Sequence, residues 1–460
     1  MRIFSPLRGP SERPVSSRLE DEHRDPQPMV EVGKHRRAKI AFFGSFGRRN
    51  FGNEATLQAM LSNLRRLVPE SEFICLCTGP EGVATDYKIT AVPIRDYVVR
   101  PWKTLNPLAT WARKILVGIP SEFWRWVQGI KMLSGTAALI VPGTGLLTDA
   151  YTLFNWGPYD MFRWSVVAKL ARCKLLFVSV GAGPFYSRSG RFFVKTALSL
   201  ADFRSYREEP SSQWLKRIGF RSDNDPLYPD LAFSLPPTVL RRSHERKGHR
   251  LVVGLGLMEY AGKLTAERPM SAVHAAYLRT LVEFVRWLLA QDYDVRLLIG
   301  DFVDEAVTRE FKSLLAKRAV TQDRERIIEE PIESVEELLS QIAETDFVVA
   351  TRFHNVLLSL FLNKPTIAIS FHHKCSSLMS QMGLTDYCKD MNTLMVDHLI
   401  EQFCQLEKNA PSLKASLAEK VEECRNALDE QYRSILQVIW PDGEQLWAAE
   451  AHKATTRVES

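Results

Sequence analysis

Arg352 and His354 stand two residues apart in the run Thr351-Arg352-Phe353-His354-Asn355, between an apolar stretch at 346–350 and another at 356–362. That spacing sets a permanent cation and an imidazole where a buried strand turns into a helix. A helix start offers orphan backbone N–H groups and the positive end of the dipole, both of which favour an anion. Arg352 adds a bidentate fork for carboxylate or phosphate. His354 is the side chain whose ordinary pKa lies nearest neutrality, so it can lend or accept a proton. The chemistry predicted is anion binding coupled to proton transfer. A plainer reading is an arginine ending a surface strand beside a satisfied core histidine, and only context separates the two.

Context begins with the elements that must position the run. The apolar stretch 39–43 ends in a glycine-rich turn with Gly44, Gly47 and Gly52, followed by Asn53, Glu54 and a helical pattern at 55–67. The same order of strand, glycine turn and helix recurs. Apolar strands at 138–141 and 174–180 end in Pro142-Gly143-Thr144-Gly145 and Gly181-Ala182-Gly183-Pro184, and helical patterns follow at 159–171 and 191–200. Such alternation predicts a parallel sheet covered on both faces.

The pattern breaks at Ser234-Leu235-Pro236-Pro237 and the polar run 241–249, then restarts. Strands are predicted at 251–255, 295–299, 326–328 and 346–350, with helices at 272–290 and 304–315. A last strand at 366–370 precedes Phe371-His372-His373-Lys374. The architecture expected is α/β, with two Rossmann-like doubly wound domains facing a cleft. The first, 37–236, is the acceptor side; 237–249 is a linker; the second, 250–400, is the donor side. A helical segment (401–440) and a tail (441–460) follow. Residues 1–36, poor in apolar side chains and rich in Pro, Ser, Arg and Asp, are expected to be a disordered leader. Ligands of such folds bind beyond the carboxyl ends of the strands.

Composition narrows the partners. The chain has 460 residues, 45% hydrophobic and 25% charged, with a formal charge of +6, which suits anionic ligands or a membrane surface. No basic run interleaved with stacking aromatics points to nucleic acid. Seven cysteines are scattered without a CxxC pair or metal-ligand spacing, as expected for reduced thiols of a cytoplasmic protein. No apolar run approaches the roughly 20 residues of a membrane span. Segment 95–132, however, interleaves Trp102, Trp111, Phe123, Trp124 and Trp126 with Arg100, Lys103, Arg113, Lys114, Arg125 and Lys131. Interfacial helices use this composition for peripheral contact at lipid headgroups. Aromatics packed on a neighbouring domain, with solvated cations, are the other reading.

The glycine segments and the Arg352 run, taken in order with 201–209 (Ala-Asp-Phe-Arg-Ser-Tyr-Arg-Glu-Glu), 228–233 (Tyr-Pro-Asp-Leu-Ala-Phe), 367–374 and 382–384, resemble the polysaccharide pyruvyl transferase family over residues 38–392. The resemblance implies a GT-B-like fold and transfer of a pyruvyl group from phosphoenolpyruvate to a sugar. That sugar belongs to a surface polysaccharide or its lipid-linked oligosaccharide precursor. The product is a pyruvate ketal, phosphate leaves, and no cofactor beyond the donor substrate is implied. Arg207, Arg352, His354 and Lys374 match the family's basic and histidine positions, and Asn53 and Glu54 its first glycine-loop motif.

On that reading Arg207, Arg352 and Lys374 bind the donor's carboxylate and phosphate. His354, as an imidazolium held charged by nearby anions, protonates the methylene carbon. Glu54 is a base for the sugar hydroxyl or a helix-start acid. Asp149 is an acceptor contact or a turn cap. The chain departs from the family pattern in Arg48-Arg49, in having Pro142-Gly143-Thr144-Gly145 where a glycine triplet is usual, and in its leader and Trp-rich segment. A nucleotide-sugar glycosyltransferase of the same architecture and a non-catalytic glycan-binding scaffold are the alternatives.

Overall fold

A computed structural model describes residues 38–95, 114–149, 157–239, 250–259, 270–317, 325–371 and 373–441. The expected leader and tail, and Trp102 and Trp111 of the Trp-rich segment, lie outside them. The first half of the chain runs β1 (Lys39–Gly44), α1 (Phe51–Leu67), β2 (Glu72–Cys77), α2 (Pro80–Tyr87), β3 (Thr90–Pro93), α3 (Ile119–Leu133), β4 (Thr136–Pro142), α4 (Pro158–Leu170), β5 (Lys174–Val180), α5 (Arg188–Ser199), β6 (Phe203–Tyr206) and α6 (Glu209–Arg217). Its strands form one parallel sheet in the order β3-β2-β1-β4-β5-β6.

Alternation along β1 explains its unbroken apolar sequence. Ile40 and Phe42 enter one core with α1, while Ala41 and Phe43 enter a second core with α4 and α5, so neither face is free for polar residues. Cys75 and Cys77 share the first of these faces as buried thiols.

The second half repeats the plan with β7 (Val252–Gly256), α7 (Met270–Ala290), β8 (Asp294–Leu298), α8 (Asp304–Ala316), β9 (Ile327–Ile328), α9 (Val335–Ala343), β10 (Phe347–Ala350), α10 (Phe353–Phe361), β11 (Thr366–Ser370), α11 (His373–Gln381), β12 (Cys388–Asp390) and α12 (Val396–Ile439). Its sheet is also parallel, in the order β12-β11-β10-β7-β8-β9. Each sheet therefore reverses its strand order between its first and fourth strands. Loops leaving those two strands diverge to opposite faces and open a crevice between them. The glycine turn after β1 and the Arg352 run after β10 both sit at such points.

Direct contacts hold the two crevices together. Phe51 N–H donates to Gly300 O (3.2 Å), Phe302 N–H donates to Arg49 O (3.2 Å), and Asn50 Nδ2 donates to Asp301 Oδ2 (2.6 Å). One buried core runs through both halves, joining α1 to Val356, Leu357 and Leu360 of α10.

The last helix, α12, spans 44 residues, about 66 Å at 1.5 Å per residue. It begins within the stretch expected to close the second domain and passes through Pro411 without ending. Near its start Phe403 packs edge-on against Phe284, Trp287, Tyr293 and Phe347. Near its end Gln431 Nε2 donates to the hydroxyls of Ser179 (2.9 Å) and Ser205 (2.8 Å) on the first sheet. Ser179 holds a left-handed backbone, with φ at 49°.

Gln431 is fully buried. Removing its amide strands the buried Ser179 hydroxyl and leaves that of Ser205 with only the Ser179 N–H, at a cost of about 1–3 kcal/mol. Gln431→Ala is expected to lose that much stability in a urea titration, while Arg433→Ala, on the exposed side of the same turn, stays close to wild type.

Candidate functional site

Arg352 ends the turn from β10 into α10 in an extended conformation, and its side chain caps nothing. Its guanidinium instead grips Asp304 at the start of α8, with Nε donating to Oδ2 (2.8 Å) and Nη2 to Oδ1 (2.6 Å). Asp304 is fully buried and also accepts the Glu259 N–H at 2.9 Å. Much of the charge expected for the donor is therefore met by a carboxylate of the same domain. Asp304 escaped the sequence reading because nothing in its surroundings marks it apart from other acids at helix starts.

His354 lies in the first turn of α10 and presses on the first turn of α1. A Cβ on Gly52 would stand 1.8 Å from His354 Nδ1, so only glycine lets the helices meet this closely. His354 Nε2 is buried and has no hydrogen-bond partner among the described residues. Burial pushes the pKa of His354 down to about 4; Asp230 opposes this, while Arg207, Lys374 and Arg352 push it further down. This corrects the expected imidazolium. Burial is the larger cause, and the lowered pKa leaves the ring neutral at pH 7.

Arg207 follows β6 and reaches the same place from the first domain. Its Nη1 donates to Asp230 Oδ2 at 2.6 Å, its Nε is buried without a hydrogen-bond partner among the described residues, and its guanidinium stacks over the Phe353 ring at 4.8 Å. The edge of that aromatic pair meets His354, with ring centroids 4.9 Å apart. Phe353, which the sequence reading left without a role, thus couples a cation of one domain to the imidazole of the other.

Lys374, in the first turn of α11, points at the loop after β4. Its ammonium is 2.8 Å from where a Cβ on Gly145 would be. Burial, with Arg207 nearby, lowers its pKa to about 8, although Glu208 and Asp230 pull the other way. Arg207, Lys374 and Phe353 share the wall of a cavity of about 500 Å³ with Glu208, Asp230 and Tyr228. The exposed side of α11 adds Ser376, Ser377, Ser380 and Gln381 to that wall. His373 Nε2 lies 3.9 Å from Glu208 Oε1 across the domain boundary.

Three expected site residues lie elsewhere. Glu54 Oε1 accepts the N–H groups of Gly47 (2.7 Å) and Arg48 (3.3 Å), and its Oε2 accepts from the Tyr87 hydroxyl (3.3 Å). It opens on a separate cavity of about 710 Å³ with Asp86 and Glu336. Burial raises its pKa to about 7 despite those hydrogen bonds. Asn53 ties the same loop, donating its backbone N–H to Asn50 Oδ1 (3.1 Å) and Nδ2 to Ser45 O (3.0 Å). Both residues latch the first glycine loop instead of facing the cavity.

Asp149 accepts from Tyr186 N (2.7 Å), Ser187 N (2.6 Å) and Ser187 Oγ (2.6 Å). Burial would raise its pKa, but these bonds outweigh that and hold it below the usual carboxylate range. It holds Ser187, whose hydroxyl caps the start of α5 by accepting the Gly190 N–H at 2.9 Å.

Two predictions follow from this placement. Glu54→Gln preserves an acceptor for Gly47 and Arg48 and is expected to keep most turnover, whereas Glu54→Ala loses it; a dead Gln variant with wild-type stability would restore the base role. His354 is neutral when folded, so the unfolded chain binds its proton first as pH falls below 6.5. Stability tied to His354 is then complete above 6.5 and drains away toward pH 4. Between pH 7 and 5 this amounts to about 2 kcal/mol. Urea titrations at the two pH values should show a drop smaller by about that amount in His354→Gln.

Comparison with known proteins places this geometry in a family. The signature of the polysaccharide pyruvyl transferase family matches residues 50–373, a span from the cap of α1 to the start of α11. The amylovoran biosynthesis protein AmsJ of Erwinia amylovora is 21% identical over 330 residues, covering 67% of this chain and 74% of that protein. In fold, a putative UDP-N-acetylglucosamine 2-epimerase from Listeria monocytogenes superposes with a TM-score of 0.55 at 11% identity, covering 87% of this chain and 98% of that one. A glycosyltransferase from Rickettsia africae gives 0.52 at 11% identity, with 88% and 99% covered. These likenesses establish a GT-B-type architecture, and the match over most of the chain establishes that it belongs to the polysaccharide pyruvyl transferase family.

Proposed function

We propose that the protein transfers the pyruvyl group of phosphoenolpyruvate to two hydroxyls of a sugar in a polysaccharide or its lipid-linked precursor, forming a ketal and releasing phosphate. The observation that carries this reading is the convergence of Arg207 and Lys374, from opposite domains, on one cavity whose wall includes Phe353, the ring that stands edge-on to His354. A small dianionic or trianionic donor suits a site to which Arg207 and Lys374 bring positive charge from two sides. The family and the relative named for amylovoran biosynthesis support a polysaccharide product.

Donor binding changes the protonation of the site. Carboxylate and phosphate bring negative charge beside His354, raise its pKa and draw a proton onto Nε2. That proton passes to the methylene carbon, which becomes a methyl group, and the adjacent carbon turns electrophilic. One sugar hydroxyl adds there and gives up its proton. Phosphate then leaves with the C–O bonding pair, and the second hydroxyl adds in its place. Of the two hydroxyl protons, one replaces the proton spent on carbon and the other departs with phosphate. Glu208, on the cavity wall with His373 behind it, is the carboxylate placed to accept them, in the role first given to Glu54.

Two measurements test this. Phosphate release from phosphoenolpyruvate should require a glycan acceptor and fall by about a hundredfold or more in His354→Asn. Calorimetric binding of phosphoenolpyruvate at pH 7, in buffers of different ionisation enthalpy, should show proton uptake in wild type and none in His354→Asn. Stabilisation by a nucleoside diphosphate but not by phosphoenolpyruvate would overturn the reading in favour of a nucleotide-sugar transferase.

A further inference from the structure

The first domain presents an apolar face that its own fold leaves open. Helix α3 buries Gly129 and Leu133 and packs Trp126 and Ile130 against the second core, so one side of it is fully used. Its other side is also apolar. Phe123 is 70% exposed, Trp124 49% and Ile119 65%, and Leu116, in the π-helical turn Lys114–Gly118 just before it, is 73% exposed. A helix apolar on both sides needs a second partner, since large exposed apolar patches mark interaction sites.

The face continues onto α5. Phe162 of α4 lies 6.3 Å, centroid to centroid, from Trp126 on one side and from Phe192 of α5 on the other. Phe192 is itself 60% exposed. Helical spacing puts Arg188, Arg191 and Lys195 around Phe192, and α5 contains no carboxylate. Lys131 is exposed at the far end of α3. The nearby acids are taken up internally, Glu122 by Arg125, Tyr159 and Arg163, and Asp149 by Tyr186 and Ser187. The outward charge is therefore positive around an apolar centre. A second copy of the chain would bring like charges together on this face, whereas anionic lipid offers phosphates to the cations and a headgroup layer to the aromatics. No helix among the described residues is long and apolar enough to cross a membrane.

We propose that α3 and α5 seat the protein on the surface of an anionic bilayer, with Leu116, Ile119, Phe123, Trp124 and Phe192 entering the headgroup layer and Arg188, Arg191 and Lys195 meeting lipid phosphates. This does not rest on the proposed reaction. Phosphate release with a water-soluble acceptor reports on that separately, and the docking variants leave it unchanged.

The test is co-sedimentation of the full chain with vesicles. Wild type should bind vesicles of equal parts phosphatidylglycerol and phosphatidylcholine and ignore pure phosphatidylcholine. The folded pairs Phe123→Ser with Trp124→Ser, and Arg188→Glu with Arg191→Glu, should each bind about tenfold or more weakly, and Trp124→Phe should restore binding. Absence of wild-type binding, or unchanged binding in both pairs, overturns the proposal. So does a drop in oligomer mass by light scattering in the Phe123 and Trp124 pair, which would assign the face to a second copy.

Discussion

The approach of two helix starts, with the His354 ring resting where Gly52 has no side chain, is the constraint on which the site depends. It sets the reversal point of one sheet against that of the other. Everything that reaches the cavity is measured from that contact. Arg207 arrives from the first sheet to stack on Phe353, and Lys374 arrives from the second to face the Gly145 loop. The loop latches of Asn50, Asn53 and Glu54 keep α1 seated so that the contact holds. The contacts these residues make tie the first loop to the start of α1.

Burial and charge together set the protonation of the site. Three cations and an imidazole share one partly buried place. Asp304 and Asp230 pair with the two arginines, while burial, with the cations nearby, lowers the pKa of Lys374 and of His354. On the proposed reaction, the negative charge of the donor favours a proton on His354.

Much of the fold was legible because parallel strands covered on both faces read as unbroken apolar runs, as at β1, β5 and β10. The edge strands β3 and β12 were not, being short and only partly buried. Helix α12 begins a few residues before the expected segment 401–440, and it passes through Pro411 although a proline ordinarily ends a helix. Here Leu399, Phe403 and Leu406 before Pro411, and Leu417 and Val421 after it, bury against the core and carry the helix through. The set Arg207, His354 and Lys374 was visible through resemblance alone, since no spacing joins residues so far apart in the chain. What remained hidden was anything that depends on neighbours in space: the capture of Arg352 by Asp304, the bridging ring of Phe353, and the protonation of His354. Asp149 and Glu54 show the converse, acids at suggestive positions whose oxygens are occupied by nearby backbone.

The long final helix has a consequence for how the molecule is made. Its first turns belong beside the second sheet, yet Gln431 completes the hydrogen bonding of Ser179 and Ser205 in the first. During synthesis the first sheet is exported from the ribosome some two hundred residues before the side chain that finishes its interior. Domains usually mature in the order in which they emerge. In this chain the earlier half stays unfinished until nearly the last helix has been translated, so assembly of the two halves and completion of the first are one event.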